Sequence, residues 1–298
     1  MTAEMGQGAR SGPDWSAELR RTSRAELEGW LRFAHEAADE ADRLALAAFQ
    51  TDLDVQEKAD GSFVTQADRA IEQAVRSRLA GRFPGHGVVG EEYGETDRGA
   101  PVRWYLDPID GTHNFMRGVP LFGTLLAVEV DGELQAGVIS APALGRRWHA
   151  SRGGGAWTTT TAARVPETAR RLRVSGVASL DRAQLLYRSI RDMHASRVGP
   201  GFDALLTRVW RERGFGDFWG YTLVAGGSAE AMMEQDLGPW DLAAPWIVVE
   251  EAGGRITDFD GRRSLAHGEA LATNGVLHET FLAGLHGDQL AEERPPAR

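Results

Sequence analysis

The stretch WYLDPIDGTHNF, Trp104 to Phe115, ends an apolar run with one aspartate, interrupts it with proline and sets a second aspartate three residues on, ahead of Gly-Thr. Asp-Pro and Asp-Gly both favour chain reversal, so alone the segment reads as a turn at Pro108 with Asp110 just beyond it. Other acidic groups give it further meaning. In GVVGEE (87–92) the apolar run ends at Glu91 and Glu92, as RWYL ends at Asp107, and strand ends of one sheet can bring side chains together. Asp241, in PWDLAA, precedes a helical pattern, and Asp68 lies three residues after Thr65. Each has an ordinary reading: Asp241 as a helix N-cap, Asp68 as a first-turn charge, Glu91 and Glu92 as a solvated pair. Gathered at one point, however, these carboxylates would repel and raise one another's pKa unless a cation neutralised them. Hard oxygen ligands point to Mg²⁺, which keeps several waters and acts beside phosphate. The amides of Gly111 and Thr112 could cradle that phosphate if a helix starts there.

Composition agrees with a globular protein. The 298 residues are 42% hydrophobic, enough for one large domain or two packed ones. Acidic side chains number 43 against 33 basic, a net charge of −10, which argues against a general nucleic-acid or membrane-surface binder. The absence of cysteine excludes disulfides and thiolate metal sites. The opening MTAEMGQGARSGPDW has no apolar signal region, and no later run approaches a membrane span, so a cytoplasmic location is expected.

Residues 1–20 are small and polar and read as a disordered tail. Apolar residues at helical spacing predict a helix from Ala25 to Phe49, and a second starts at Thr65, its N-cap, and stops at Gly81. GVVGEE, RWYLDP, LFGTLLAVEV and ELQAGVIS read as strands, the last two joined by the hairpin signal Asp131-Gly132. DLAAPWIVVEEAGG reads as a helix ending at Gly253, RITDF and ALATN as short strands, and a last helix begins near Val276. Residues 158–167 mark a junction between an N-terminal α+β subdomain (21–160) that carries the metal site and a C-terminal α/β subdomain (161–285) that completes it, followed by a tail (286–298). Without a strict βαβ rhythm, the expectation is an α+β fold of layered sheets and helices, neither a Rossmann domain nor a barrel.

In order and spacing, VTQAD (64–68), GEEYG (90–94), WYLDPIDGTHNF and PWDLAAPWIVVEEAGG (239–254) resemble the motifs of the inositol monophosphatase family of Mg²⁺-dependent sugar and alcohol phosphatases. RGVPLFGTLLAV (117–128), VISAPALGRRWHA (138–150), GFGDFWGYTLVA (214–225) and ATNG (272–275) look like its histidinol-phosphatase branch, which serves histidine synthesis. The resemblance implies an alternating α-β-α-β-α sandwich, a homodimer and two to three Mg²⁺ ions acting on a small phosphomonoester. It assigns Glu91, Asp107 and the carbonyl of Ile109 to one ion, and Asp107, Asp110 and Asp241 to a second. Thr112 and Asp68, with Glu91 beside them, would orient and deprotonate the attacking water. The amides of Gly111 and Thr112 would hold phosphate oxygens, and Asp217 and Glu234, with Asp110 and Asp241, would face the substrate. Inositol 1-phosphate or another sugar phosphate is the alternative substrate. A different class of role is also open, since some bacterial relatives bind transcription and ribosome-assembly machinery, but binding alone would not require the complete set Asp68, Glu91, Asp107, Asp110, Thr112 and Asp241.

His113 reads as a solvent-facing residue near a helix start, His149 and His194 as structural, and Asp217 has a competing reading as the cap of a helix beginning near Phe218. Trp104, Trp148, Trp240 and Trp246 read as core packing.

Overall fold

The computed structural model describes residues 22–58, 61, 63–161 and 169–287. The tail expected at 1–20, most of the one expected at 286–298, and positions 162–167 of the expected junction lie outside the described residues.

Five layers alternate. Helices Arg24–Ala48 and Gln66–Arg82 form the first, and each begins with a capping box: Ser23 with Glu26, and Thr65 with Asp68. They pack Trp30, Phe33, Ile71 and Val75 onto an eight-stranded sheet. That sheet runs Arg170–Arg171, Gly155–Thr160, Arg146–Ser151, Glu133–Ala141, Gly123–Val130, Val102–Asp110, Gly87–Gly90 and Gly94–Thr96, antiparallel except where Gly87–Gly90 pairs parallel with Val102–Asp110. The hairpin at Asp131-Gly132 forms, both residues taking positive φ (50° and 87°) as a tight two-residue connection requires.

Helices Asp217–Ala225 and Pro239–Glu251 make the central layer. The second is apolar all round, from Leu242 to Val249, because sheets cover it on both sides. The second sheet has five strands, ordered Arg211–Arg213, Gln184–Tyr187, Ala231–Gln235, Glu269–Thr273 and Arg255–Thr257. Helices Ile190–Ala195, Gly199–Leu206 and His278–Leu285 close its far face with Met193, Phe202, Leu205 and Phe281. The result is an α-β-α-β-α sandwich of α+β class.

The strand Val102–Asp110 lies deep in the first sheet. Trp104 and Leu106 join the cluster under the outer helices, while Tyr105 joins the cluster around the central ones. Burial on both faces explains why RWYL is apolar in an unbroken run rather than in alternation. Trp148 and Trp246 are likewise buried, and Trp240 packs partly buried against the same core.

Candidate active site

No turn occurs at Pro108. The strand continues to Asp110, and its pairing runs Asp107 opposite Leu125 and then Asp110 opposite Gly123, three steps on one strand against two on the other. In a regular strand, residues three apart face opposite sides. The extra residue is a β-bulge, which changes that parity and turns both aspartates into one cleft. Pro108 suits the bulge because it has no N–H to leave unpaired, and its carbonyl accepts from the Thr124 hydroxyl at 2.8 Å. The reversal comes at Gly111, in the left-handed region (φ 82°), where a Cβ would sit 2.8 Å from the Leu121 carbonyl. A short helix, Thr112–Met116, follows, so the first amides after the bulge have no intrahelical partner.

Asp241 comes from the central helix. It occupies the third helical position rather than the N-cap: Gly238 is the cap and donates its N–H to Asp241 Oδ2 at 2.7 Å. One carboxylate oxygen each from Asp107, Asp110 and Asp241 lie within 4.8 Å of one another. Burial first, then the charges around them, push Asp107 and Asp110 well above the ordinary aspartate range; for Asp107 those charges are Glu91, Asp110 and Asp241. Asp241 rises to about 7, by burial and then by Glu91. Asp107 Oδ1 is buried and accepts no hydrogen bond. Three crowded carboxylates, two buried and Asp241 partly so, with an orphaned oxygen and no soft ligand fit a hard divalent cation.

Glu91 lines the same cleft, and its Oε1 accepts from Lys58 Nζ at 2.9 Å, as Glu92 does at 2.7 Å. Buried Glu72 steadies this turn by accepting from the N–H groups of Glu92 and Tyr93. Asp68 is fully buried. One of its oxygens closes the capping box with Thr65, and the other, Oδ1, has no partner. Burial pushes Asp68 up to about 6 against the pull of those Thr65 bonds. The Thr112 hydroxyl donates to the Ile109 carbonyl at 2.9 Å and makes no bond to Asp68.

The cleft, about 670 Å³, extends to Asp217 and Glu234. Asp217 is not an N-cap. Gly216 holds that position, Asp217 begins the helix in the left-handed region (φ 56°), and its carboxylate accepts from Asn114 Nδ2 at 3.3 Å. The neighbouring Phe218 N–H donates to Asp110 Oδ2 at 2.5 Å, which ties this helix to the acidic triad. Glu234 is 2% exposed with Oε2 unpartnered, and burial, then Asp217, push it up to about 8 while Arg188 opposes the shift.

His113 is exposed and stands at the cleft mouth, its ring edge-on to Phe63 at 5.3 Å. His149 packs against His35, and His194 pairs with Asp203 at 2.9 Å; neither lines the cleft. Lys58, Glu72 and Arg188 escaped the sequence reading. Only Arg188 carries a signal that would have found it: like Asp107, it directly follows an apolar strand run, LLY.

The profile of the inositol monophosphatase family matches residues 26–290. The chain is 45% identical to the histidinol-phosphatase of Mycobacterium tuberculosis over 86% of its own length and 97% of that protein. To the histidinol-phosphatase of Streptomyces coelicolor it is 43% identical, over 86% and 96%. Among solved structures it resembles an IMPase of Thermotoga maritima, with a TM-score of 0.75 and 29% identity over 87% of this chain and 97% of that one. With a bulged DPIDGT strand, an acidic triad in one cleft and a sandwich shared with such relatives, the chain belongs to the inositol monophosphatase family.

Proposed function

We propose that this protein is a Mg²⁺-dependent histidinol-phosphatase, converting L-histidinol phosphate and water into L-histidinol and inorganic phosphate. The observation that carries the reading is one cleft with two acidic ends, the triad Asp107, Asp110 and Asp241 at one and Asp217 with Glu234 at the other. The two histidinol-phosphatase relatives support the substrate.

In this reading Glu91, Asp107, Asp110, Asp241 and the Ile109 carbonyl hold two to three Mg²⁺ ions. When bound, Mg²⁺ lowers the pKa of a water and neutralises charge on the phosphoryl group and the leaving alkoxide. The amides of Gly111 and Thr112 hold phosphate oxygens. The Thr112 hydroxyl, turned from Ile109, accepts a hydrogen bond from the attacking water and donates its own to Asp68, whose free Oδ1 takes up the proton. As the new P–O bond forms, the ester P–O bond opposite it breaks, and histidinol leaves as its alkoxide and takes a proton from solvent water to become the alcohol, while Asp68 returns its proton to solvent. Asp217 pairs with the substrate ammonium by a charge-assisted hydrogen bond. The reading carries with it a homodimer and a cytoplasmic location, the first open to light scattering on the purified protein.

Phosphate release over a panel of phosphomonoesters tests the assignment. The expected result is kcat/KM for L-histidinol phosphate well above that for inositol 1-phosphate and glycerol phosphates. Preference for inositol 1-phosphate would remove the substrate while leaving the family intact.

A further inference from the structure

Beside the cleft lies a second chamber of about 270 Å³, and the two share four wall residues: Gly111, His113, Arg188 and Asp217. The remaining walls include Leu121, Phe215 and Trp219, with the Asn114 amide among them. These walls combine an aliphatic and two aromatic side chains with one neutral amide and add no carboxylate to the shared Asp217, and none of them belongs to the metal or water machinery above. Trp219 is held edge-on to Trp148 at 6.0 Å, so that wall is anchored in the core.

Arg188 stands at the junction. Its stem presses on Gly216, where a Cβ would fall 2.6 Å from the Cα, Cβ and Cγ of Arg188; glycine at 216 is what admits the arginine. One side of the guanidinium is fixed, with Nη2 donating to the Gln235 carbonyl at 3.0 Å and Nε 3.5 Å from Glu234 Oε1. Among the described residues, Nη1 has no hydrogen-bond partner, and the side chain is 34% exposed. A positioned donor with N–H groups to spare therefore sits between a carboxylate and an aromatic chamber.

We infer that the side chamber seats the ring of the substrate, and that Arg188 is a specificity residue which donates from Nη1 to an unprotonated ring nitrogen while Asp217 receives the ammonium. This rests on the histidinol-phosphatase reading and deepens it. A guanidinium has donors and no acceptor, so it selects a ring that offers a lone pair. A ring without one leaves that donor unpaired beside a partly buried charge, and sites built around such a bond reject the analogue that lacks it. The geometry suits a short linker, because His113 and Asn114 of the chamber directly follow the Gly111 and Thr112 amides that would hold phosphate.

The test measures kcat and KM of the Mg²⁺-loaded protein for three esters: L-histidinol phosphate, L-phenylalaninol phosphate, whose ring has no nitrogen, and O-phosphoethanolamine, which has no ring. Arg188→Met is expected to lower the kcat/KM ratio of the first ester to the second by about 10- to 100-fold, chiefly through KM, and Arg188→Lys to recover part of it. Leu121→Trp, which fills the chamber, is expected to depress both ring esters relative to phosphoethanolamine. Equal losses on all three esters with Arg188→Met, the ratios unchanged, would give Arg188 a merely structural role and overturn this inference while the function stands. A wild-type protein that does not favour histidinol phosphate over phosphoethanolamine would instead overturn the function, and the ring seat with it.

Discussion

The two ends of the cleft handle buried negative charge in opposite ways. At the end proposed to hold metal, Asp107, Asp110 and Asp241 lie together with no protein cation bonded to any of them among the described residues, and burial and then neighbouring carboxylates, Glu91 in the case of Asp241, drive all three upward. At the end proposed for recognition, Glu234 has Arg188 beside it, a counter-charge supplied by the chain itself. Charge the chain leaves unbalanced is suited to a bound cation; charge it partly balances is suited to choosing among substrates. If that division holds, changes at the metal end act on kcat, and changes at the recognition end act on which ester is used.

The largest expected effect comes from Asp110→Asn, which keeps the shape of a ligand and removes its charge. Hydrolysis of histidinol phosphate should fall by about 10³-fold or more with an unchanged circular dichroism spectrum. An active, folded Asp110→Asn protein would break the comparison at its metal end. Next, Thr112→Ala should lower kcat by about 10²- to 10⁴-fold with a smaller change in KM, and adding Asp68→Asn should cost little more, because the pair works as a unit. Losses that multiply fully in the double variant would separate the two residues.

At the recognition end, Asp217→Asn should narrow the preference for histidinol phosphate over inositol 1-phosphate by about tenfold, mainly through a weaker KM for the cationic substrate. An unchanged ratio would move ammonium recognition to Glu234. The smallest effect is on stability. The folded-state values of Asp241 (about 7) and Glu234 (about 8) lie above their ordinary 3.8 and 4.5, so their contribution is fully present below the ordinary values and lost as pH rises through the folded ones. The metal-free protein should therefore lose several degrees of Tm between about pH 4 and 8, and saturating Mg²⁺ should flatten that slope, since it takes over the neutralisation. A slope indifferent to Mg²⁺ would mean that the triad does not bind it.

What could be read from the sequence was mostly local. Helix caps at Ser23 and Thr65 and the Asp131-Gly132 hairpin are written in neighbouring residues, and the apolar run Leu242–Val249 announces a helix buried between layers. The DPID segment shows the limit of local reading. Two aspartates and a proline look like a turn until the partner strand, Gly123–Leu125, fixes a register that needs one extra residue. Asp241 read as an N-cap although Gly238-Pro239 already held the better signal, a proline at the first helical position. Lys58 and Arg188 were hidden because their partners, Glu91 and Gln235, lie 33 and 47 residues away in the chain.

Metal dependence is tested most directly by a Mg²⁺ titration of phosphate release from L-histidinol phosphate by protein stripped with a chelator. No release above background is expected without metal, and activity should return saturably as Mg²⁺ is added, with Asp110→Asn remaining inactive across the titration. Full activity in the stripped protein would contradict that dependence.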